Sequence, residues 1–146
     1  MVRVGARPHD AIARRAGAEP IGYVASMRGE FREAAVALVP LWMGGGARVK
    51  IVEAMAAGVP VVATPVAVSG LGLRPGLDFV EADQPESIGE AVAALLLAPE
   101  RRADLAARGR LLASERWSLE ATARMQNHLC AEVERERLQP DRSRPG

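Results

Sequence analysis

A chain of 146 residues, 49% hydrophobic and 25% charged, has the composition of one compact globular domain with enough apolar surface to bury a core. Its 19 basic and 18 acidic residues nearly cancel and aromatics make up only 3%, which argues against nucleic acid as a partner: no basic field attracts phosphates and few rings offer stacking. Cys130 is the only cysteine, which excludes an intramolecular disulfide; with no apolar leader after Met1 and no run of about 18 apolar residues, a soluble cytoplasmic protein is expected, a peripheral membrane contact being left open.

Residues 1–4 form a short β-like run that ends at Gly5, with Pro8 closing the turn. Residues 9–16 read as a short helix with a solvated arginine pair, and residues 21–24 as a second strand. Ser26 is placed to cap a helix over 27–35. Residues 35–40 are almost continuously apolar, as in a strand buried on both faces of a parallel sheet. Gly44, Gly45 and Gly46 interrupt the run, and a helix over 48–57 follows, with Gly58 where a left-handed C-terminal residue is common. Residues 59–63 form the next buried strand, Pro60 lying among its first residues, where the missing N–H does least harm.

Four Gly or Pro breaks mark residues 64–76 as a loop, and 77–80 add a short strand. Asp83 and Glu86 have capping-box spacing ahead of a helix to Ala98, in which Ile88, Val92, Leu95 and Leu96 share one apolar face. Pro99 breaks that helix; residues 100–114 form a second, and Leu119, Met125, Leu129 and Val133 mark a third. The arginines at 101, 102, 108 and 110 read as a solvated face, His9 and His128 as surface residues, Trp117 as a core residue and Cys130 as a small packing residue. A polar tail from residue 139 is expected to be disordered. Strands alternating with helices, and central strands apolar on both faces, predict an α/β fold with a Rossmann-like, doubly wound parallel sheet that ends in successive helices.

The chemistry concentrates where the strand meets the glycines. Glycines allow close approach of the backbone to a ligand, and a helix start offers unpaired N–H groups with partial positive charge. Together they make an anion site, most naturally for phosphate. Ile51, Val52, Met55 and Ala56 are expected to face the sheet, with Lys50 and Glu53 on the other side. Arg48 and Lys50 crowd two cations onto the positive end of a helix, a conflict that a bound diphosphate would remove. Neither the P-loop spacing nor Gly-x-Gly-x-x-Gly is present, since residue 49 is valine. Read for themselves, these residues reach a phosphate-bearing ligand, with generic helix–strand packing and an i, i+3 surface pair of Lys50 and Glu53 as the bland alternatives.

Residues 44–64 are also similar to the Gly-x-Gly-Thr-Arg-x-Lys-x-x-Glu-Ala-Met-Ala-x-Gly-x-Pro-Val-Val-x-Thr signature of the group 1 glycosyltransferases (family 4). The resemblance extends over roughly residues 2–130: Gly22-Tyr23-Val24 resembles a family strand, Ser69-Gly70-Leu71 a family loop, and residues 100–118 the closing helices. Family resemblance implies a GT-B arrangement of two Rossmann-like domains. The chain would supply the C-terminal, donor-binding half over residues 1–138, without its first strand and without the N-terminal acceptor domain.

On that resemblance Gly44, Gly45, Gly46 and the helix start would receive the diphosphate of a UDP-, GDP- or ADP-sugar. Arg48 and Lys50 would neutralise it, Glu53 would accept ribose hydroxyls, and the backbone at Tyr23 and Val24 would line the base pocket. Many members carry a second glutamate eight residues before the one that Glu53 matches; Gly45 stands there. The resemblance further implies transfer with retention, no metal and no cofactor beyond the donor, and dependence on a separate N-terminal domain or a second copy. The alternative is a non-catalytic interaction module derived from such an enzyme; a nicotinamide oxidoreductase is disfavoured because no acid follows the glycines by about 20 residues at a strand end.

Overall fold

The structure is a computed structural model that describes residues 2–5, 18–44 and 48–138. The helix expected over 9–16 and the tail from residue 139 lie outside the described residues. The chain divides into two compact units, Met1–Glu33 and Ala34–Gly146.

In the first unit, β1 (Val2–Gly5) and β2 (Ala18–Gly22) pair in parallel, with Val2 opposite Ala18 and Gly5 opposite Gly22. The second strand therefore lies earlier than residues 21–24. Gly22 takes φ 68°, which turns the chain out of the extended conformation before Tyr23. Helix α1 (Arg28–Glu33) follows, shorter than expected, and its start is tied by Ser26 Oγ accepting the Arg28 N–H at 3.2 Å.

The second unit is built on three parallel strands in the order β3 (Ala37–Val39), β4 (Val61–Ala63) and β5 (Val80–Glu81). Ala37, Leu38 and Val39 stand opposite Val61, Val62 and Ala63, and Val62 stands opposite Val80. Only the central strand is sealed on both faces; every residue of β4 is buried. Strand β3 does not meet the expectation of burial on both faces. It is an edge of the sheet among the described residues, and Leu38 is 40% exposed. Pro60 precedes β4, as its lost donor requires, and its carbonyl accepts the Ala37 N–H at 2.8 Å.

Helix α2 (Val49–Ala57) joins β3 to β4 and ends at Gly58, whose φ of 74° is the left-handed terminus expected. Its buried residues are Ile51, Ala54 and Met55, so the inward face is rotated from the expected one: Ala56 is exposed and Ala54 takes its place. The cause is a second neighbour. Besides the sheet, α2 packs on α5 (Pro99–Trp117), where Gly109 lets the helices approach so closely that a Cβ there would lie 3.4 Å from Met55 Cβ.

Within the expected loop after β4, residues Pro65–Val68 form a single helical turn, α3. Thr64 supplies its cap by accepting the Ala67 N–H at 3.3 Å, and Pro65 occupies a first-turn position where no donor is missed. Helix α4 (Pro85–Leu97) starts at Gln84 rather than Asp83. Ser87 Oγ accepts the Gln84 N–H at 3.2 Å, so serine at the third position does what Glu86 was expected to do.

Val62, Ala82, Ile88, Leu95 and Leu105 form a core cluster, with Val36, Val80, Ala91 and Val92 packed against it. Leu96, expected on that face, is exposed. The arginines of α5 correct another expectation. Arg102 donates to the carbonyls of Leu95 and Leu96 at 2.7 and 2.6 Å, satisfying the C-terminal end of α4, and Arg108 pairs with buried Asp78. Arg101 and Arg110 are exposed, as read from the sequence.

The last helix, α6 (Leu119–Leu138), touches the body mainly at its start, where Ala121 is buried. Leu119, Met125, Leu129 and Val133 are all at least half exposed. Cys130 is exposed too, not a packing residue, and Trp117 is not in the core but half-buried beside Ala121 in a shallow groove between α5 and α6. His128 is a surface residue, 3.2 Å from Glu132. Among the described residues no helix is long and apolar enough to cross a membrane.

Candidate functional site

Because β3, β4 and β5 run in parallel, the segments that leave Val39, Ala63 and Glu81 emerge along one edge of the sheet. Ligands of open parallel α/β sheets bind outside that carboxyl edge. Here the segment leaving β3 is the stem of the glycine loop, and it is tied to both neighbours. Thr64, which follows β4 and is fully buried, donates its hydroxyl proton to the Leu41 carbonyl and its N–H to the Val39 carbonyl at 3.4 Å. Trp42 donates its indole N–H to the carbonyl of Asp83, past the end of β5, at 2.7 Å.

Beyond this stem, Gly44 takes φ 124°, a conformation that side chains rarely adopt, and is exposed. Arg48 reaches back from the far side of the loop, its Nη2 donating to the Gly44 carbonyl at 3.3 Å. Gly45 and Gly46 lie outside the described residues. Arg48 is also the N-terminal cap residue of α2, and no side chain caps that helix. The Ile51 N–H bonds back to the Arg48 carbonyl at 3.1 Å, which leaves the N–H groups of Val49 and Lys50 as those no helical carbonyl can reach.

No acidic residue sits in the first turn of α2, so the positive end of the helix carries Arg48 and Lys50 without a compensating carboxylate of its own. Lys50 and Glu53 are exposed, and among the described residues neither forms an ion pair; the bland reading of the two as a surface pair is not realised. Tyr23 and Val24 belong to the first unit, where they follow β2. Tyr23 is 90% exposed and Val24 is half-buried. Among the described residues no three His, Cys, Asp or Glu side chains gather into a metal site.

Asp78 is the buried charge among the described residues of the unit, and no sequence motif marks it. Burial raises its pKa, but the Arg108 guanidinium bond, the Arg74 N–H and both arginine charges outweigh that, holding the carboxyl below the usual carboxylate range. The signal was weak: an aspartate between apolar residues in a Gly- and Pro-rich stretch has no periodic pattern to mark it. Thr64 ends the signature over residues 44–64, and nothing local in the sequence marks its hydrogen bonds to Leu41 and Ala67.

The family model described as Glycosyl transferases group 1 matches residues 1–98, about two thirds of the chain. The chain belongs to this family. Among solved structures, sucrose-phosphate synthase from Thermosynechococcus elongatus superimposes with a TM-score of 0.75 at 18% identity, over 92% of this chain and 38% of that one. TarM superimposes with a TM-score of 0.65 at 15% identity, over 86% of this chain and 28% of TarM. The chain thus spans well under half the length of either structure. Both likenesses show the fold: an α/β, parallel-sheet portion of the GT-B type, as the sequence predicts for a group 1 glycosyltransferase. No curated protein sequence matches the chain.

Proposed function

We propose that this chain is the donor-binding portion of a group 1 glycosyltransferase and holds the diphosphate of a UDP-, GDP- or ADP-sugar at the start of α2. The observation that carries this reading is the pairing of Gly44, in a left-handed conformation, with Arg48 and Lys50 at an uncapped, carboxylate-free helix N-terminus. Like charges at a positive helix end are unfavourable alone and favourable with an anion bound. In this reading the backbone of Gly44, Gly45 and Gly46 and the N–H groups of Val49 and Lys50 receive the phosphate oxygens. Arg48 and Lys50 neutralise the diphosphate as it leaves, which lowers the barrier to glycosyl transfer without a metal ion. Glu53, one turn on and exposed, accepts the ribose hydroxyls. Transfer proceeds with retention, in the cytoplasm, and only once an N-terminal acceptor domain completes the enzyme.

The test is thermal unfolding of the 146-residue chain with UDP, GDP and ADP. At 100 times the dissociation constant a bound ligand stabilises by about 2.7 kcal/mol, and Lys50→Ala removes the shift. Absence of any shift at millimolar concentrations of all three nucleotides sinks the reading.

One observation favours a second reading, a non-catalytic interaction module: the apolar stripe of Met125, Leu129 and Val133 on α6, at i, i+4 and i+8, lies open to solvent. Size-exclusion chromatography separates the two. A monodisperse monomer that binds nucleotide removes the second reading.

A further inference from the structure

The stem of the glycine loop does two things that neither family membership nor the proposed nucleotide site assigns to particular side chains. At consecutive positions it is fastened to the ends of two different strands. The Leu41 carbonyl takes the hydroxyl proton of Thr64, which follows β4, and the Trp42 indole N–H reaches the Asp83 carbonyl, which follows β5. The partners are 23 and 41 residues away in sequence. Neither bond is part of a helix or a strand ladder. Both are side-chain donors spent on backbone carbonyls, and both fall on the carboxyl edge of the sheet.

The two anchors differ in kind. Thr64 is fully buried, and its single hydroxyl serves two elements: it donates to Leu41 and accepts from the Ala67 N–H at 3.3 Å. Its N–H adds a bond to the Val39 carbonyl at 3.4 Å, so one residue closes both the end of β3 and the loop that follows. Trp42 keeps half its surface exposed, although its N–H is satisfied at 2.7 Å. An indole that stays half in water is no core residue; with its N–H held in place, it contributes a fixed direction for the chain just before Gly44 besides the area it buries. Glycine-rich segments lose the most conformational entropy on ordering, so a loop of three successive glycines needs fixed ends if its N–H groups are to converge on an anion.

We infer that Trp42 and Thr64 are positioning residues: they hold the stem of the glycine loop against the ends of β4 and β5 so that Gly44 and the start of α2 are preorganised for a diphosphate. The inference rests on the proposed function of that loop. Preorganisation by distant side chains is a change in affinity without a change in contacts, because neither residue needs to touch the ligand.

The test uses the full 146-residue chain, with inorganic pyrophosphate and UDP, GDP and ADP as probes in isothermal calorimetry. Trp42→Phe keeps an aromatic ring and deletes the donor; Thr64→Val keeps the shape and deletes the hydroxyl; Thr64→Ser restores it. Each deletion is expected to weaken binding of pyrophosphate, and of whichever nucleotide binds, by about five- to tenfold, the scale of one hydrogen bond. Thr64→Ser returns the affinity to within about twofold of wild type. A merely structural role would lower the melting temperature of the free protein and leave the affinity of its folded fraction unchanged, which overturns the inference. Should Thr64→Val not fold, Trp42→Phe decides alone, since Trp42 is at the surface. If the wild type binds none of the probes, the nucleotide reading fails; if it binds and the deletions bind as tightly, only the positioning role fails.

Discussion

Arg108, midway along α5, donates its Nε–H to the carboxylate of Asp78, thirty residues earlier and 2% exposed. The other carboxylate oxygen accepts the Arg74 backbone N–H at 2.8 Å. A carboxylate so enclosed is stable only while both bonds persist, and together they tie the loop after α3 to α5. Loss of Arg108 leaves the charge with the Arg74 N–H and the more exposed Arg74 guanidinium, 3.5 Å away. Arg108→Ala is expected to cost about 2–3 kcal/mol, read as a lower urea midpoint.

The same pair sets a pH dependence. Asp78 is held below its ordinary range, so its folded-state pKa lies under the unfolded value of about 3.9. The stabilisation is therefore present in full above that value and is lost as pH falls through the lowered one. Urea midpoints measured from pH 7 to pH 2 should show a constant gap between wild type and Asp78→Asn above about pH 5, closing below about pH 4.

Two glycines should respond to alanine with opposite signs. Gly58 ends α2 at φ 74°, and a Cβ there would run into the guanidinium of Arg110, so Gly58→Ala should destabilise by about 1 kcal/mol or more. Gly89 lies inside α4, exposed, with open space around its Cα, and Gly89→Ala should stabilise by up to about 1 kcal/mol. Thermal melts of the two variants side by side check both signs.

Lys50 makes a prediction that depends on ligand. In the free chain it adds positive charge to the positive end of α2, so Lys50→Ala should stabilise the protein by about 0.3–1 kcal/mol. With a nucleoside diphosphate present the order reverses. Melting curves with and without nucleotide would show the crossing, and a variant that is less stable in both states contradicts it.

Truncations on α5 and α6 should differ sharply. Leu105, buried in the core cluster, is expected to lose about 2–5 kcal/mol on change to alanine. Leu129 is half exposed, and Leu129→Ala should stay within about 0.5 kcal/mol. A large loss at Leu129 in denaturant titrations would mean that the stripe is covered in solution.

Legibility followed the kind of interaction. Helices α2, α4, α5 and α6 and strands β1, β3 and β4 were readable because period and punctuation are local: Gly58 ends α2 where a left-handed residue was expected, and Pro60 precedes β4 where a missing donor is harmless. Elements set by one side-chain bond were not. The turn at Pro65–Val68 exists because Thr64 caps it, and a Thr-Pro pair inside a Gly-rich stretch reads equally well as loop. In α6 the spacing of Leu119, Met125, Leu129 and Val133 marks the helix, but that they stand at least half exposed is a fact of packing, because periodicity reports which residues share a face and not whether anything covers it.

The sequence by itself determined the α/β class and the order of β3, glycine stem and α2, which rest on spacing along the chain, and, through its likeness to the family signature, membership of the group 1 glycosyltransferases. Only the tertiary structure decided that Ala54 and not Ala56 faces inward, that Arg102 and Arg108 serve neighbouring elements instead of solvent, and that Trp42 and Thr64 fasten the loop stem. The physical reason is common to all three. Helix and strand patterns are written in residues a few positions apart, whereas these bonds and contacts join residues that only the packed chain brings together.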